Sequence, residues 1–60
     1  MTELYSFDKY KGHKIMIEEE NHKYYATIQW NGTTVKELSG TIYEKLKDRC
    51  WKWIDTQEDQ

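Results

Sequence analysis

Proline is absent from this chain, cysteine occurs once, and only three glycines are spread over 60 residues. With no proline, nothing removes a backbone donor from inside a strand or helix. The lone Cys50 excludes an internal disulfide. With His13 and His22 it also lacks the paired ligand spacing of a structural zinc site. No apolar run approaches the roughly 20 residues of a membrane helix, so no membrane contact is expected. Met1-Thr2-Glu3-Leu4 has neither the basic start nor the apolar stretch of a signal peptide. One cysteine and no such signal point to a reducing, cytoplasmic setting. An excess of one charge is missing too: nine Lys and Arg face eleven Asp and Glu, for a net −2. That balance disfavours nucleic acid, whose binders normally present a basic face.

Chemical motifs are equally scarce. The chain has no Gly-rich phosphate loop, serine elbow or metal signature. It is therefore read as a non-enzyme, with no cofactor and no small-molecule substrate. Cys50 could serve as a nucleophile beside a histidine, but its helical position suits a small buried thiol better. His13 and His22 flank a predicted strand, about 20 Å or more apart, too far to share a metal. Glu18-Glu19-Glu20 could hold a cation or a basic partner, or form a solvated strand edge that discourages aggregation.

What the chain does have is aromatic residues: three Trp, five Tyr and one Phe. A domain this small buries only about 60% of its unfolded surface and needs extra support. Dense aromatic packing supplies some. Contact with a protein partner or a second copy supplies more, so a dimer is a candidate state.

Residues 23–38 carry the clearest pattern. Tyr24, Ala26, Ile28 and Trp30 alternate with Tyr25, Thr27 and Gln29, the period of a half-buried strand. Asn31-Gly32 follows, a pair suited to the positive φ of a type I′ turn. A two-residue turn sets Trp30 opposite Thr33 and Ile28 opposite Val35. A further strand is predicted over 13–19. Its turn lies on Asn21-His22, pairing Ile17 with Ala26, or on Glu20-Asn21, pairing Ile17 with Tyr24.

One sheet face then holds Ile15, Ile17, Tyr24, Ala26, Ile28, Trp30 and Val35. The other holds Lys14, Met16, Glu18, Tyr25, Thr27, Gln29, Thr34 and Lys36. Leu38 has the wrong parity for the core unless a bulge or an early strand end turns it inward. After Ser39-Gly40, Thr41 and Glu44 fit a capping box, with the Thr as cap. Ile42, Tyr43, Leu46, Cys50, Trp53 and Ile54 form an apolar stripe on the helix that follows.

The expected fold is α+β: a three-stranded antiparallel β-meander packed against one C-terminal helix. Residues 1–60 form a single domain, with an N-terminal extension over 1–9 whose Leu4, Tyr5 and Phe7 cover the sheet or helix, the meander over 13–38, the helix over 41–55 and a frayed tail over 56–60.

Two surfaces are candidates for a protein partner. Trp51, Tyr43 and Lys47 lie in a row down the helix, with Trp51 outside the apolar stripe, where it either meets a partner or folds against the N-terminal segment through Tyr5 or Phe7. Tyr25 and Met16 lie on the outer sheet face. Small, acidic, motif-free and aromatic-rich, the chain suits a protein-interaction module: a phage or mobile-element regulator or inhibitor of a host protein.

Three stretches carry a resemblance over roughly 10–55: Tyr10-Lys11-Gly12 with Ile15, then Lys23-Tyr24-Tyr25-Ala26-Thr27-Ile28, then a capped helix ending Trp53-Ile54-Asp55. They are similar to small bacterial and phage proteins of unknown function with three strands and a helix. The pattern also resembles the amino-terminal arm-binding domains of phage and transposon integrases. That likeness implies an outer sheet face entering the DNA major groove through Lys14, Tyr25, Thr27, Gln29, Thr34 and Lys36. This face has two Lys, no Arg and at least one Glu, where that family relies on phosphate contacts. The HicB-type antitoxin domain shares the order of elements in a longer chain.

Overall fold

The computed structural model describes residues 3–58. Four strands, β1 (Glu3–Tyr10), β2 (His13–Glu20), β3 (Lys23–Trp30) and β4 (Thr33–Gly40), precede one helix, α1 (Tyr43–Glu58). The strands form one antiparallel sheet in the order β1-β2-β3-β4. The α+β class and the C-terminal helix are as expected, but the sheet has four strands, not three. Most of the expected N-terminal extension is β1. Thr56, Gln57 and Glu58 extend the helix into the expected frayed tail, whose last residues, 59–60, lie outside the described residues, as do residues 1–2. Among the described residues, no helix is long and apolar enough to cross a membrane.

Every strand is eight residues long and every hairpin turns on two residues. The turn pairs all have positive φ: Lys11 at 49° with Gly12 at 80°, Asn21 at 52° with His22 at 65°, and Asn31 at 56° with Gly32 at 82°. These are the signs a type I′ turn requires, and its twist matches that of the flanking strands. The β2–β3 turn therefore falls on Asn21-His22, with Ile17 opposite Ala26. His22 is the one non-glycine at the second position of the three turns. His22→Gly is expected to raise stability by about 0.5 kcal/mol by relieving its left-handed backbone. A shift in the urea midpoint at unchanged slope checks this.

Both edge strands carry an irregularity. In β1 the register slips between Leu4 and Ser6, leaving Tyr5 over. In β4 it slips opposite Ile28 and Gln29, so Ile28 faces Lys36 instead of the expected Val35. Val35 is the extra residue, and beyond it the parity of β4 inverts. Leu38 lies opposite Ala26 and packs against the core, while Val35 is exposed. Lys36 shares the helix face with Ile28, because directly opposed residues point the same way.

The core is small. Ile15, Ile17, Ala26 and Ile28 from the sheet meet Leu46, Cys50 and Ile54, at i, i+4 and i+8 on α1. Ile42 does not join them. Its carbonyl accepts from the Leu46 N–H at 3.0 Å, so it takes the capping position expected for Thr41 and stays 52% exposed.

Candidate protein-interaction surfaces

The helix row of Trp51, Tyr43 and Lys47 is engaged with β1. Trp51 stacks on Tyr10 with ring centroids 4.4 Å apart and planes 23° apart. Tyr43 packs on Tyr5 at 4.8 Å and Tyr24 at 5.8 Å. The Lys47 ammonium sits 3.5 Å from an Asp8 carboxylate oxygen and 5.8 Å from the rings of both Tyr43 and Trp51. A strand added at this edge widens the sheet under the helix and covers a tryptophan that three strands would have left out. A shallow hollow of about 370 Å³, lined by Tyr43, Glu44, Lys47, Asp48 and Trp51, stays open there.

The indole Nε1 of Trp51 is buried and has no hydrogen-bond partner among the described residues, a state that costs about 1–3 kcal/mol. Trp51→Phe keeps the stack and removes that donor, so stability should change by less than about 0.5 kcal/mol. Trp51→Ala loses the packing and should cost about 2 kcal/mol. Thermal melts of both variants test the difference.

Asp55 clips the helix to the first turn. The Tyr10 hydroxyl and the Lys11 ammonium both donate to its Oδ1, each at 2.8 Å. The Lys11 bond first, then the Tyr10 bond, hold the Asp55 carboxyl below the usual carboxylate range. The Tyr10 hydroxyl is pushed up, chiefly because it donates to Asp55 and secondarily by burial. A carboxyl depressed on folding stabilises above its unfolded pKa and loses that contribution as pH falls through its folded value. Asp55→Asn should therefore flatten the acid side of the stability profile below about pH 4 and leave its shape near neutrality unchanged. Urea midpoints taken across that range read this out.

His13 is buried beside Trp30 at 4.6 Å and Trp53 at 6.4 Å. Its Nδ1 lies 3.1 Å from the Lys11 carbonyl, which can only accept, so Nδ1 carries the proton. A cleft of about 380 Å³ runs between these aromatics, Lys11, Val35 and Gln57. His22 sits in the turn at the other end of β2. Burial pushes the Cys50 thiol up, the reverse of what activates a cysteine nucleophile. Glu18, Glu19 and Glu20 lie on β2, an inner strand, so they do not form the sheet edge expected of them.

Among the described residues, the opposite side of the sheet has no covering layer. Its cross-strand rows follow from the register: Lys9, Lys14, Gln29 and Thr34; then Phe7, Met16, Thr27 and Glu37; then Leu4, Glu18, Tyr25 and Ser39. Leu4 is 60%, Phe7 48% and Tyr25 37% exposed. Met16 and Tyr25 thus share this face, apart from Trp51, Tyr43 and Lys47 behind the sheet. Of the residues implied by the integrase likeness, Lys14, Tyr25, Thr27, Gln29 and Thr34 lie here together, and Lys36 lies on the helix side.

Of Leu4, Tyr5 and Phe7, expected to cover the core, Tyr5 packs on Tyr24 and Tyr43, but Leu4 and Phe7 lie exposed on the open face with Lys9, because the Tyr5 irregularity breaks the alternation of β1. The ten-residue spacing of Lys11-Gly12, Asn21-His22 and Asn31-Gly32 was the available sign of a fourth strand. No protein-family model, curated protein or solved structure matches the chain.

Proposed function

We propose that this chain is a non-enzymatic protein-interaction module working through the open face of its sheet, in a cytoplasmic setting. One observation carries this: Leu4, Phe7, Met16 and Tyr25 stand together on a sheet face that none of the described residues covers. A monomer gains nothing by showing clustered large apolar side chains to water, and such patches mark contact sites. The helix row supports the same choice by default, since its aromatic rings are spent on β1. A regulator or inhibitor that acts by occupying another protein's surface fits this build.

Duplex DNA suits the face less well. Its cations, Lys9, Lys14 and Lys23, are matched by Glu18, Glu20 and Glu37 on the same side, leaving little net positive field to draw phosphates. The test is site-specific photo-crosslinking in cells. A crosslinker placed at Phe7 or Tyr25 is expected to trap protein adducts, while one at Lys45 or Arg49 on the exposed helix traps none. Adducts from the helix positions alone, or from no position, overturn the proposal.

A further inference from the structure

With the open face taken as the contact surface, as proposed above, we infer that its occupant is a second copy of this chain, packed face to face about a two-fold axis running across the strands. Three observations lead there. The first is charge. On β1 and β2 the cations Lys9 and Lys14 occupy one end of the face and Glu18 the other, with the Phe7–Met16 row between them. An axis across the strands reverses strand direction and sets β1 over β1. Lys14 then meets the partner's Glu18 row, and the Phe7–Met16 row meets itself. An axis along the strands would set Phe7 against Glu37 and leave these charges unmatched. Lys23 is held over its own Tyr25 ring at 5.5 Å, and Glu37 on the edge strand meets its own copy, a like-charge contact at the rim that lowers the affinity of this arrangement.

The second observation is area. Eight-residue strands rising about 3.3 Å per residue, spaced about 4.8 Å apart, make a face of about 500 Å². Two such faces bury about 1,000 Å², the lower bound of a specific interface. The third is the edges. Both edge strands carry an irregularity of register, at Tyr5 and Val35, a device that discourages strand-to-strand addition. Contact between copies is thereby directed to the face, where sheets stack about 10 Å apart.

Sedimentation equilibrium of the full chain from about 10 µM to about 1 mM is expected to show a monomer–dimer equilibrium. A monomer throughout overturns the inference. Phe7→Glu should weaken the dimer at least about tenfold with the helical circular dichroism retained; an unchanged dimer constant overturns it. Lys14→Glu should weaken it by about tenfold, and adding Glu18→Lys in the same chain should restore it to within about threefold. A reversed pair that fails to restore the dimer overturns the inference. If the purified chain stays monomeric while Phe7 crosslinks another protein in cells, the second copy is excluded and the open face stands as the contact surface. If both experiments fail, the open face itself is excluded.

Discussion

Leu46→Ala is expected to leave the chain largely unfolded at 25 °C, with far-UV circular dichroism showing neither helix nor sheet. Leu46 is almost completely buried, on the first turn of the helix that seals the core, and it approaches Gly40 of β4. Truncating a buried leucine costs about 2–5 kcal/mol in transfer and cavity terms. A core in a chain of this size rarely supplies more than about 3–5 kcal/mol in total. Among the described residues, seven side chains make up the fully buried apolar cluster, so neighbours have little room to collapse into the gap. Ile42→Ala is the matched control. Both residues fall on the apolar stripe read from the sequence, but Ile42 is half-exposed at the cap, and its truncation should change stability by no more than about 0.5 kcal/mol. Equal losses for the two would mean that the helix is rotated from the position described here.

The second large effect is expected at Gly12. Gly12 and Gly32 have almost the same backbone, at φ 80° and 82°, and any side chain there carries a left-handed penalty of about 1–2 kcal/mol. They differ in what surrounds them. A Cβ on Gly12 would fall 2.7 Å from Trp30 Cζ3, whereas one on Gly32 meets nothing within 4 Å. Gly12→Ala must also push the half-exposed Trp30 ring away from the turn and from His13, which adds about 1 kcal/mol, the low end of an overpacking cost, because the ring can swing into solvent. It should therefore destabilise by about 2 kcal/mol against about 1 kcal/mol for Gly32→Ala. Denaturant midpoints give the difference, and the tryptophan emission of the folded Gly12 variant should shift as the ring moves into water.

The hairpin at Asn31-Gly32, the inward side of β2 and β3 and the apolar row of the helix were all readable from residue order, because each obeys a single period. Ile15, Ile17, Ala26 and Ile28 alternate without a break, and Leu46, Cys50 and Ile54 recur every four residues. Where a residue is inserted into a strand, the period fails. Tyr5 concealed β1 in this way, and with it Leu4, Phe7 and Lys9 of the open face. Val35 did the same in β4, which is why Lys36 was expected outside and Leu38 needed a bulge to come in. Trp51 shows a different limit. Its angle on the helix put it outside the apolar stripe, but exposure depends on how wide the opposing layer is, and that width came from the unread strand.

Each strand pairs with the one just before or after it in the chain, through turns of two residues. Most of the ladder therefore closes short loops, which cost little entropy. The distant contact is the helix returning to the first turn, where Tyr10 and Asp55 meet across 45 residues. Chains dominated by such local contacts fold quickly. The hairpins can zip in succession before the helix docks, so the barrier is expected to lie at the docking of α1, and variants at Asp55 should speed unfolding more than they slow folding.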